Sequence, residues 1–137
     1  MKRRALGMVW LAVGIVLGVA GCNSDSDPAP KSILSPDGSP STWKMDVTTS
    51  DGSLAITDSS LIISYTSGVY KVAWMSGSDN GSATFNTNTF TVTMSISHNI
   101  GDLETAGTLN NNNFMSGAGT IVTYQGLKVI TWAAERR

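Results

Sequence analysis

Residues 89–97 read TFTVTMSIS, and they alternate strictly. Phe90, Val92, Met94 and Ile96 fall on one side; Thr89, Thr91, Thr93, Ser95 and Ser97 fall on the other. A period of two with one apolar and one polar face is the pattern of a half-buried antiparallel strand. Trp43, Met45 and Val47 repeat it, as do Tyr70, Val72 and Trp74. From Ser41 to Arg137 there is no proline and no apolar i, i+3, i+4 run long enough for a helix. This region is expected to be one all-β domain, burying roughly 60–65% of its unfolded surface.

Three segments place two large apolar residues around four polar ones: 56–61, 85–90 and 109–114. Asn and Asp tolerate left-handed backbone and bond their own main chain, so all three are expected to be hairpin tips. The Asn110–Asn113 run also suggests a glycan or metal site, but it holds no Asn-x-Ser/Thr sequon, and amide oxygens alone bind metals weakly. The candidate strands are 42–49, 53–57, 61–66, 69–75, 82–86, 89–97, 103–109, 113–123 and 127–135. Short connections imply an up-and-down antiparallel meander, as a closed barrel or a strongly curved sheet, since closure removes exposed edges. Closing first strand on last needs an even number, so about eight strands are expected. Gly117 and Gly119 fit bends that barrel curvature requires.

The chain opens MKRR and then runs from Ala5 to Ala20 without a charge. A basic start, an apolar stretch and small residues at its end make a helical secretory signal. As a helix, Ala5–Ala20 would span about 24 Å against a hydrocarbon core of about 30 Å, which favours a cleaved signal over a permanent membrane helix. Residues 23–40, NSDSDPAPKSILSPDGSP, hold all four prolines and no periodicity, and read as a disordered tether.

Val19-Ala20-Gly21-Cys22 resembles the bacterial lipobox: an aliphatic residue, two small residues, then cysteine. The resemblance implies cleavage between Gly21 and Cys22, and a diacylglycerol on the Cys22 thiol. In many bacteria a further acyl chain such as palmitate then joins the new amino terminus. Two or three chains suffice for stable anchoring, which one does not give. Cys22 is the only cysteine, so a disulfide would need a second chain. The expected organisation is a signal peptide over 1–21, a lipidated cysteine with its tether over 22–40, and the barrel over 41–137. The expected location is the bacterial cell envelope, with Asn23 after the cysteine favouring the outer membrane, on either face, over the inner one. Cleavage removes Lys2, Arg3 and Arg4, leaving six basic residues against ten acidic ones, a net charge of −4. That balance argues against nucleic acid or an anionic membrane surface as partner.

The barrel itself resembles a lipocalin-like domain of the calycin kind. Calycins begin their first strand with Gly-x-Trp and carry an Arg or Lys near the end of the last strand. Here Ser41-Thr42-Trp43 stands at the start, with Ser in place of Gly, and Trp132-Ala133-Ala134-Glu135-Arg136 at the end. The resemblance implies that Arg136 packs over Trp43 and closes the barrel, a cation–π contact of about 1 kcal/mol.

Ionisable groups are sparse. His98 is the only histidine, which leaves no base for a Ser-His-Asp triad beyond itself and no multi-histidine metal site. Asp102 and Glu104 share a strand face, where a solvated edge is a more ordinary role than acid–base work. No catalytic residue, metal or cofactor is expected, and the chain does not read as an enzyme. Aromatic residues are the better lead: Tyr65, Tyr70, Trp74 and Trp132 either fill the core or line a small ligand site. Two functions follow. One is a lipoprotein whose barrel binds a small apolar or amphipathic ligand; the other is a ligand-free module, inhibitor-like or structural, that contacts an envelope protein.

Overall fold

The computed structural model describes residues 32–137; residues 1–31, including the signal, Gly21 and Cys22, lie outside the described part. Eight antiparallel strands follow in order: β1 (Ser41–Thr49), β2 (Ala55–Thr66), β3 (Val69–Trp74), β4 (Gly81–Asn86), β5 (Thr91–His98), β6 (Gly101–Asn111), β7 (Phe114–Thr123) and β8 (Gly126–Arg136). Each pairs with the next, and β8 returns to β1 along Trp43↔Arg136 to Thr49↔Ile130. The result is a closed up-and-down barrel with no free edge, the architecture of lipocalin-like proteins. No α-helix occurs among the described residues, and none is long and apolar enough to cross a membrane.

The alternation read from the sequence sets which side chains point in. Val92, Met94 and Ile96 of β5 are buried, while the threonines and serines between them are exposed. Trp43, Met45 and Val47 of β1, Val72 and Trp74 of β3, and Ile130, Trp132 and Ala134 of β8 join them in one apolar core.

The segment 57–60 is not a hairpin tip. Residues 55–66 form one continuous strand, so two of the nine candidate strands merge and the count becomes eight. Asp58 sits in left-handed backbone (φ +58°), and the β1–β2 register shifts between Met45 and Val47, which makes a bulge. The Asp46 carboxylate accepts the Asp58 N–H at 2.8 Å and holds that bulge from the neighbouring strand. The other two tips are as expected. Asn86 Oδ1 accepts the N–H groups of Asn88 and Thr89, and Asn111 Oδ1 accepts that of Asn113. β2 and β3 are joined by Ser67-Gly68, both at positive φ (+55° and +81°), a two-residue turn whose twist matches the strands.

Packing begins before Ser41. Within the expected tether, Ile33 is fully buried in the barrel core and Leu34 packs against it. Turns 67–68, 87–90 and 112–113 share that end with the start of β1 and the finish of β8. Loops 50–54, 75–80, 99–100 and 124–125 surround the opposite end.

Candidate functional site

At the entry end, Arg136 gathers three parts of the chain. Its guanidinium carbon stands 4.3 Å from the centre of the Trp43 ring. Nη2 donates to the Ser32 carbonyl (2.6 Å), Nη1 to that of Leu34 (3.2 Å), and Nε to that of Asn112 (2.6 Å). Burial lowers its pKa from the usual arginine value, but a guanidinium stays charged at any ordinary pH. Below it, Trp43 Nε1–H donates to Ser41 Oγ (2.8 Å), and Ser41 Oγ donates to the Ile33 carbonyl. Ser41 is therefore what satisfies the Trp43 N–H. The arrangement closes this end of the barrel.

The four aromatic residues proposed for a ligand do not converge. Tyr65 and Tyr70 face each other at the entry end, ring centres 4.7 Å apart. Desolvation, then the neighbouring Tyr65, raises the pKa of Tyr70. Trp74 and Trp132 are core residues. Trp74 Nε1–H donates to Ser59 Oγ (2.9 Å), a serine that the β2 bulge turns inward, and its ring meets His98 edge-on at 5.4 Å. His98 Nδ1 accepts the Ile100 N–H, so this histidine shapes the 99–100 turn.

The carboxylates of Asp102 and Glu104 do share a face, the outer one. Ser97 Oγ donates to Asp102 (2.8 Å) and Ser95 Oγ to Glu104 (2.5 Å). Both line a shallow groove of about 320 Å³ with Asn80 and Ser82. Neighbours on one strand do not oppose each other across a cleft, the geometry that paired-carboxylate catalysis needs. Among the described residues no three His, Cys, Asp or Glu side chains come together as a metal site.

The feature that sequence reading missed lies at the far end. The β7–β8 hairpin turns Val122 (50% exposed), Tyr124 (95%), Leu127 (67%) and Val129 (55%) to solvent. Val122 and Leu127 are cross-strand partners. The strand reads Leu127, Val129, Thr131 outward and Lys128, Ile130, Trp132, Ala134 inward, so the face away from the core starts with two apolar residues. That apolar pair on the outward positions was the available signal. Beside it, a cleft of about 190 Å³ is lined by Leu54, Ile100, Tyr124 and Lys128, with Lys128 paired to Asp51 at 2.7 Å. Compared with protein-family models, curated proteins and solved structures, the chain matches none.

Proposed function

We propose that this chain is a lipid-anchored envelope protein whose barrel acts as a protein-contact module, holding no ligand. The observation that carries this reading is the filled interior. Trp43, Trp74 and Trp132 lie in it with Met45, Met94 and Met115, each no more than 3% exposed. An eight-stranded barrel is just wide enough for its own side chains or one small ligand, and six large side chains buried inside support the first.

The anchor rests on the lipobox-like Val19-Ala20-Gly21-Cys22. The described chain enters the barrel at the Arg136 end, where residues 32–34 are held. The apolar β7–β8 face lies near the opposite end and offers side chains to a second envelope protein. A closed sheet has no edge to which a partner can add a strand, so such a partner must cover side chains.

Native mass spectrometry of residues 23–137 purified from cells tests the filled interior. A mass equal to the polypeptide alone is the expected result. A reproducible extra mass, lost on denaturation, would overturn it in favour of a carrier of a small apolar or amphipathic ligand. For the anchor, labelling with a palmitate analogue is expected in the native chain and absent in Cys22→Ser; equal labelling of both would remove the lipoprotein reading.

A further inference from the structure

Asn80-Gly81 is the only Asn-Gly step in the 137 residues. Glycine leaves the peptide nitrogen after an asparagine unshielded, so this is the step at which a side-chain amide is lost most readily. The packing explains why the barrel keeps it. A Cβ at position 81 would lie 2.5 Å from the Ser95 carbonyl oxygen and 2.9 Å from Ile96 Cα, so β4 approaches β5 this closely only with glycine there. Asn80 is as constrained. Its N–H donates to the Val72 carbonyl (2.9 Å), and its own carbonyl accepts the Ser97 N–H (2.8 Å). Its side chain imitates a strand residue: Oδ1 accepts the Trp74 N–H (2.8 Å), and Nδ2 donates to the Trp74 carbonyl (2.9 Å).

These bonds lie at the shortest seam of the wall. β3 and β4 share three residue pairs, Tyr70↔Ala83 to Val72↔Gly81, fewer than any other neighbouring strands. The Asn80 side chain extends that ladder past its last pair. A short ladder with half-exposed hydrogen bonds opens locally before the whole domain unfolds. Asn80 and Gly81 are themselves only half-buried, so water reaches them.

We propose that Asn80 is a deamidation site gated by the β3–β4 seam. While the seam is closed, four hydrogen bonds fix the Asn80 backbone and amide, and the Gly81 nitrogen is kept from lining up on Cγ. When the seam opens, the Gly81 nitrogen bonds to Asn80 Cγ, and its proton passes through solvent to the departing amide nitrogen. The Cγ–Nδ2 bond breaks, ammonia leaves, and a five-membered succinimide remains. Water then adds to one of the two ring carbonyls and reopens the ring as an aspartyl or an isoaspartyl residue. Either product has lost the Nδ2–H donor and sets a carboxylate against the Trp74 carbonyl; the isoaspartyl form also lengthens the backbone by a carbon. A transient opening thus becomes a permanent one. The proposal rests on the barrel wall alone and needs neither the anchor nor a partner.

Peptide mass mapping of the purified protein, aged at mildly alkaline pH, follows the conversion. In the urea-unfolded chain, position 80 should convert ahead of every other asparagine. In the folded protein it should convert about tenfold more slowly or less, and faster again in urea too dilute to unfold the barrel. Equal rates in the folded and unfolded chain would overturn the gate. So would a folded rate that stays flat in dilute urea while hydrogen exchange shows the Trp74 and Asn80 amides opening. Asn80→Asp, which installs one product from the start, should quicken exchange at the amides of residue 80 and Ser97 while near-ultraviolet circular dichroism stays native. Unchanged exchange there would overturn the permanent opening. If that variant fails to fold, aged native protein, separated from the unconverted chain by its added charge, gives the same readout.

Discussion

At the end where β1 begins and β8 finishes, Ile33 plugs the floor and Arg136 binds the carbonyls of Ser32, Leu34 and Asn112. At the other end, Tyr124, Leu127 and Val129 project from a hairpin into solvent. Both ends come from the same eight strands. They differ in whether the chain returns to cover them. The segment before β1 spends its apolar residue on the core, and the last strand supplies the cation that holds it. Among the described residues, none returns over the outer face of β7–β8. Apolar surface that the molecule does not cover itself is where association is expected.

The largest expected effect is at the closed end. Trp43→Ala removes a fully buried indole and should cost about 3–5 kcal/mol, much of a small domain's stability. Urea unfolding followed by near-ultraviolet circular dichroism measures it; a loss under 1 kcal/mol would mean the floor is not tightly packed. Next comes Arg136→Met, which keeps an unbranched chain over the ring but loses the charge and three hydrogen bonds. About 2–3 kcal/mol is expected, since the donors are charged and partly screened from water. Hydrogen exchange should also quicken at the Ser35, Gly38 and Arg136 amides, which hydrogen-bond within this floor. Quickening confined to β8 would show that the strap holds without the arginine.

This closed end was only partly legible in the sequence. Trp43 and Arg136 were paired only through the resemblance to calycins, and the structure brings them into contact. Ile33 was not legible: it sits among Ser, Pro and Asp, a composition that describes linkers. Its neighbours Ser32 and Leu34 are held by Arg136, more than a hundred residues away, and no local pattern carries that. Asp58 shows the same limit. Thr57-Asp58-Ser59-Ser60 has turn composition, yet the Asp46 carboxylate across the sheet converts it into a bulge within one strand. The period-2 strands themselves were legible because each needs only its own alternation. The outward apolar residues of β8 were written in the same alternation, on the face usually left polar.

A smaller effect separates the ends by pH. Asp51, at the hairpin end, is exposed, and its pKa is lowered well below the usual carboxylate range. The Lys128 ammonium is the main cause, followed by the Ser53 hydroxyl and N–H and the Thr49 hydroxyl. A carboxylate with a depressed folded value adds stability above its unfolded pKa of about 3.9, and this is lost as pH falls through the folded value. Asp51→Asn should therefore flatten the fall in Tm below about pH 4 while changing little at neutral pH, where an exposed pair is worth little. An acid slope identical to the native one would show that the Lys128 pair does not form in solution.

The smallest effect on stability should carry the largest effect on association. Leu127 and Val129 face outward opposite Val122 and Thr120. Replacing both with Thr keeps strand-forming side chains and removes most of the apolar character of the hairpin. Surface changes of this kind normally move stability by no more than about 0.5 kcal/mol. Crosslinking in intact cells should then lose the contacts made by the native chain. A matched pair on the opposite wall, Thr84→Val with Thr93→Val, should keep them, because that outer face of β4 and β5 already bonds itself through its hydroxyls. Two results would break the contrast between the ends. If the double threonine variant is destabilised by more than 1 kcal/mol, the hairpin is packed and only looks free. If it keeps every crosslink of the native chain, the partner is held elsewhere, and the uncovered end is not the surface by which this barrel works.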